Sequence, residues 1–287
     1  MRKVAIVTDS NSGITPEEAD KLGVRVVPMP IIVDGEEFFE DVSITKPQFY
    51  ERLVKNANVS TSQPAIGQIV ELWEELLKTH DSIVHIPMSS ALSMSCETAR
   101  NFAKEFNGRV VIVDNRRISV TLRRSVEDAI ALAEQGKTAQ EIADKLHQTA
   151  QDSSIYLMVD TLKYLKKGGR ITPAAAVIGT LLNIKPVLQI QGGKLDSFAK
   201  VMNIKQAKAR MITAIKNDIE NRFGEFKDNL EIAVVASLYG DRLDEFKVEV
   251  ENQLGVKVAL TNQVPLSIAC HLGPNVIAVT CSRVVNQ

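Results

Sequence analysis

Short apolar runs alternate with helix signals along most of the chain, and this alternation limits the architecture more than any single motif. Val4 to Val7 reads as a buried strand ending in Thr8, Asp9 and Ser10. Thr15, Pro16 and Glu18 then supply an N-cap, a proline in the first turn and the acidic half of a capping box. Arg25 to Pro28, Pro30 to Val33, Ile83 to Ile86 and Val110 to Val113 read as further strand pieces. Between them, Pro64 opens the helical pattern GQIVELWEELLK, CETARNFAKEF follows the loop SSALS, and SVEDAIALAEQ follows Asp114. Thr138 with Glu141 predicts a second capping box before EIADKLHQT. Strands that are apolar on both faces, alternating with helices, predict βαβ units, a mainly parallel sheet and right-handed crossovers.

The second half has a different pattern. Ile155 to Val159 predicts a strand, TPAAAVIGTLLNI a helix of small residues, and KPVLQIQGGKLDSFAKV a hairpin turning at Gly192 and Gly193. A polar helix KQAKARMITAIKNDIENRF, strand IAVVAS, helix DEFKVEVENQL and strand VKVAL come next, and CHLGPNVIAVTC ends in one more strand. A boundary in the polar run near Asp152 divides the chain into 1–152, an N-terminal α/β domain, and 153–287, a C-terminal α/β domain with a mixed sheet. The length of 287 residues suits two such units.

Composition removes several function classes. The net charge of −1 gives no field for nucleic acid or an anionic membrane. Cys96, Cys270 and Cys281 lack metal or redox spacing and predict free thiols in a reducing compartment. Asp9 comes too early for a signal peptide, and no apolar run would span a bilayer, so a cytoplasmic protein without a stable membrane anchor is expected. The phosphate loop G-x-x-x-x-G-K-[ST] and the elbow G-x-S-x-G are both absent. Neither a metal nor a cofactor is expected.

Sites in open α/β sheets lie beyond the carboxyl ends of strands. Loops in such positions are TDSNS, Ser60-Thr61-Ser62-Gln63-Pro64, Ser89-Ser90-Ala91-Leu92-Ser93 and Gly168-Gly169-Arg170. The two hydroxyl clusters precede helices and could cradle one anion, or simply cap those helices. His271, in the turn-like His271-Leu272-Gly273-Pro274, could join such a site or cap a loop. His80, His85 and His147 read as structural.

TDSNS, STSQPAIG, SSALS, YLKKGGRI, LLNIKPVLQIQGGKL and HLGP, in this order over nearly the whole chain, resemble the DegV family. The resemblance implies two α/β domains with a long-chain fatty acid in a tunnel between them. It also implies the fatty-acid-binding subunit of a bacterial fatty acid kinase. Such a subunit presents the carboxyl group to a separate ATP-binding kinase subunit, and the acyl phosphate feeds phospholipid synthesis. By motif, Thr61 and Ser62 match the family's Thr-Ser, Ser93 the last Ser of Ser-Ser-x-x-Ser, Arg170 the Arg of Gly-Gly-Arg, and His271 the late His-x-Gly. The resemblance places all five near the carboxylate, with Arg170 desolvated and Lys166 solvated. Met94 replaces a family glycine; it either narrows the tunnel or packs between helix and sheet. ISVTLRR is bulkier than its family counterpart. Met202 stands where an exposed arginine would suit docking to a kinase. Two alternatives are a lipid carrier without a kinase partner and a hydrolase using Ser93, His271 and Asp9.

Overall fold

The computed structural model describes residues 3–172, 184–193, 195–237 and 240–285. The strands before Ser153 are β1 (Val4–Asp9), β2 (Arg25–Val27), β3 (Ile31–Val33), β4 (Glu36–Phe38), β5 (Val59–Thr61), β6 (Ser82–Ile86) and β7 (Val110–Ile112). Those that follow are β8 (Ser153–Met158), β9 (Lys185–Ile190), β10 (Leu195–Val201), β11 (Leu230–Ala236), β12 (Leu260–Gln263) and β13 (Ile277–Arg283).

The first sheet is parallel, in the order β2-β1-β6-β7. Its central strands β1 and β6 are buried on both faces, as their apolar runs require. Val4, Ile6, Val84 and Ile86 pack with helices Val120–Glu134 and Ala139–Gln148. Ala5, Val7, Ile83 and Val110 pack with helices Ile66–Leu76 and Ser95–Ala103, around the fully buried Trp73. The expected capping boxes form at Thr15–Glu18 and Thr138–Glu141, and Thr45–Gln48 makes another before helix Lys46–Val54.

The six-stranded sheet is mixed, in the order β10-β9-β8-β13-β11-β12. Its pairings are antiparallel except β11 with β12. Tyr156 and Met158 face helices Ile204–Asn221 and Gly240–Leu254, whereas Ile155 and Leu157 face the first half of the chain. The hairpin turns as expected, with Gly192 at φ 79° and Gly193 at φ 108°, values that favour glycine. The chain is thus α/β, with a parallel sheet flanked by helices and a second, mixed sheet.

Several local expectations need correction. A small antiparallel sheet, β4-β3-β5, interrupts the βα alternation; its three-residue strands are too short to show a period. Helix Ile66–Leu76 starts after Ala65, leaving Pro64 in the loop. The strand expected at VKVAL forms later, at Leu260–Gln263. The Glu251 carboxylate accepts from Val258 N at 3.0 Å, and Val258 packs below the sheet rather than in its ladder. A helix, Leu266–Leu272, occupies the stretch read as a turn before the last strand. The helix expected over 172–184 falls largely outside the described residues. All three cysteines are free and buried. Among the described residues no helix is long and apolar enough to cross a membrane.

Candidate functional site

Strand order reverses at β1, whose neighbours β2 and β6 follow from opposite sides, so the loops after β1 and β6 diverge and leave a crevice. The cavity-facing surface of the mixed sheet closes it. The result is a cavity of about 360 Å³ lined from both halves of the chain. Ile155, Leu157, Ile190, Leu195, Val235 and Ala278 form its apolar wall. Met29, Met88, Ile118, Val264 and Ile268 contribute to the lining from the other elements.

Thr61, Ser62, Ser93, Met94, Arg170 and His271, from four separate stretches of the sequence, all line this cavity. Thr61 ends β5, and its Oγ1 lies 2.8 Å from His271 Nε2. It therefore belongs to a strand rather than to a helix cap. His271 sits in the last turn of helix Leu266–Leu272 and not in a free turn. Burial, aided by the Arg170 charge, pushes its pKa down to about 4, so the imidazole is neutral at pH 7. Ser93 precedes helix Ser95–Ala103, and its Oγ accepts from Ser95 N at 3.2 Å. Ser62 is exposed at the rim.

Arg170 is also exposed, which corrects the expectation of a desolvated charge. Its Nε donates to Leu92 O at 3.3 Å and its guanidinium donates to Gly168 O, so it spans the mouth between the two halves. Lys166 is exposed, as expected. Met94 lines the cavity and is 63% exposed, which excludes packing between helix and sheet. In ISVTLRR, Ser119 lines the cavity at φ 58°, and helix Val120–Glu134 begins immediately after it.

Residues outside the expected carboxylate-binding set add to the polar lining. Asn11 and Ser267 line the cavity, and Ser267 Oγ donates to Asn11 Oδ1 at 2.7 Å. The Asp9 carboxylate accepts from Asn11 N (3.0 Å), Asn11 Nδ2 (2.8 Å) and Met88 N (2.8 Å). Burial raises the Asp9 pKa against those bonds. TDSNS was visible as a loop of interest, but Ser267 carried no signal until helix Leu266–Leu272 brought it alongside. Asp9 is bonded to Asn11 and Met88, while His271 Nδ1 has no hydrogen-bond partner among the described residues. A Ser93–His271–Asp9 relay is therefore not assembled. The geometry suits an amphiphile: an apolar body along the sheet and an acceptor-rich head among hydroxyls and a guanidinium.

Known proteins are similar to this chain in sequence and fold. A protein of Deinococcus radiodurans described as "DegV domain-containing protein" is 30% identical over 278 residues, covering 96% of this chain and 97% of its own. A structure described as "Fatty Acid Binding of a DegV family Protein from Thermus thermophilus" is 29% identical with TM-score 0.89, covering 99% of this chain and 100% of that one. A fatty acid binding DegV family protein from Streptococcus agalactiae is 25% identical with TM-score 0.86, covering 99% of each chain. A family model described as "Uncharacterised protein, DegV family" matches residues 3–283. On that match, and on a relative 30% identical over nearly its whole length, the chain belongs to the DegV family.

Proposed function

We propose that this chain binds a long-chain fatty acid between residues 1–152 and 153–287, and presents its carboxylate to a separate ATP-binding kinase subunit for acyl phosphate formation. The observation that carries the binding reading is a single cavity with an apolar sheet wall and Thr61, Ser62, Ser93, Arg170 and His271 gathered at its lining. The fatty-acid-binding relatives from Thermus thermophilus and Streptococcus agalactiae support it. The kinase step rests on motif resemblance alone.

The physics of each part is consistent with that role. Transfer of the acyl chain from water contributes about 0.8 kcal/mol per methylene. The head must stay ionised to act as a nucleophile, and hydroxyl and guanidinium donors favour the charged form. Arg170 is exposed, so its charge is screened and the neutral donors carry much of the head-group recognition.

Protein purified from a bacterial host is expected to release near-stoichiometric fatty acid on denaturing extraction, read by mass spectrometry. The delipidated chain should melt higher with added oleate, because a ligand of the native state stabilises it. No extracted lipid and no thermal shift would end the fatty-acid reading. The kinase step is tested apart from this, by offering the oleate-loaded chain and ATP to an extract of the source cells and assaying acyl phosphate. Lipid binding without acyl phosphate would favour a carrier with no kinase partner.

Met94 gives a further expectation. It borders the mouth without contributing to a core, so Met94→Gly should shift relative affinity toward longer or bulkier acyl chains. Glycine is tolerated at a helix N-cap, and stability should stay within about 0.5 kcal/mol. A series of acyl chain lengths measured on both proteins checks this; an unchanged preference would remove Met94 from the tunnel.

A further inference from the structure

We infer that Gly168 is a positioning residue for the carboxylate end of the cavity: its missing side chain lets the His271 ring lie against helix Lys163–Gly168 and holds the imidazole proton on Nε2, which reserves the Thr61 hydroxyl proton for the ligand. The inference rests on the fatty-acid reading and adds the direction of its hydrogen bonds.

Two adjacent glycines end this helix for different reasons. Gly169 has φ 68°, a left-handed conformation that favours glycine. Gly168 is helical, where glycine costs roughly 1 kcal/mol relative to alanine, so backbone geometry does not explain it. Space does. A methyl group built on Gly168 would collide with His271 Nδ1 and lie 3.0 Å from Cε1 and 3.4 Å from Cγ. The same helix pair closes through a reciprocal contact, in which a methyl group on Gly273 would collide with the Tyr164 ring.

His271 Nδ1 is buried and has no hydrogen-bond partner among the described residues. A buried N–H without an acceptor is rare in native proteins. In the direction of the absent methyl, Gly168 presents a Cα hydrogen, which meets a lone pair without penalty but would oppose an N–H. The proton therefore sits on Nε2 and donates to Thr61 Oγ1, 2.8 Å away. Thr61 then keeps its own hydroxyl proton for an acceptor in the cavity. With the opposite tautomer, Thr61 would donate to His271 and turn only lone pairs toward an anionic head.

The test joins a spectroscopic readout to a mutant cycle. ¹⁵N-histidine NMR of the fatty-acid-free chain at pH 7 should show a pyrrole-like Nε2 and a pyridine-like Nδ1 at His271. Gly168→Ala should weaken oleate binding at least about tenfold in the native background, but less than about twofold in a His271→Ala background, where the new methyl has room. A proton on Nδ1, or equal losses in the two backgrounds, would overturn the inference. If Gly168→Ala fails to fold, the double variant decides: folding as well as His271→Ala supports the inference, and failing alike refutes it. If the native chain binds no oleate, the fatty-acid reading falls and the role in binding falls with it, while the tautomer still reports whether Gly168 places the ring.

Discussion

Ala278→Phe is expected to remove fatty-acid binding while leaving the protein folded. Ala278 lies on β13 between Leu157 of β8 and Val235 of β11, and all three line the cavity at the centre of the sheet. A phenyl ring there takes the place of about five methylenes of ligand. At about 0.8 kcal/mol each, the loss is about 4 kcal/mol, or roughly a thousandfold in affinity. The ring enters existing apolar space, so the ligand-free variant should melt at or above the native temperature. Isothermal titration with oleate, together with lipid extraction from the purified variant, measures the effect. Undiminished affinity would place the acyl chain elsewhere.

His85→Phe should flatten the loss of stability in acid. His85 is 2% exposed on β6, its ring meets Trp73 edge-on at 5.7 Å, and its Nδ1 has no hydrogen-bond partner among the described residues. Burial pushes its pKa down to about 3. The unfolded chain binds the proton near pH 6.5 and the folded chain resists it. Stability from the neutral ring is therefore complete above about pH 6.5 and is lost as pH falls toward 3. At pH 4 the loss is of order 3 kcal/mol. His271, pushed down to about 4, adds to the same limb. Asp9, Glu40, Asp128 and Glu231 oppose it: burial raises their pKa, so their contribution is present in acid and fades as pH rises. The comparison of two proteins isolates His85. Urea unfolding at pH 7 and pH 4 should show the variant gaining about 3 kcal/mol on the native chain between those values. Parallel pH profiles would mean that the buried ring is already protonated or is hydrated.

The sequence by itself determined the α/β class, the central strands, two of the capping boxes and the glycine hairpin. Each is a local or periodic property: burial on both faces makes β1 and β6 mainly apolar, and a capping box needs only residues three apart. Thr61, Ser93, Arg170 and His271 were legible because each stands in a distinctive short motif. Short strands such as β5 carried no period, and β12 was displaced because pairing with β11, rather than propensity, chose its register.

Tertiary structure alone decided what those motif residues touch. The Thr61–His271 bond joins residues 210 apart, and Ser267 meets Asn11 across 256. No local preference encodes such distances; closure of one sheet over the crevice of the other does. The exposure of Arg170 and Met94 follows from the same closure, because burial is a property of the neighbours a fold supplies and not of the side chain itself. Gly168 shows the division within one pair of glycines. Gly169 reads as a turn from the sequence, whereas the reason for Gly168 is a histidine ring that only the folded chain brings against it.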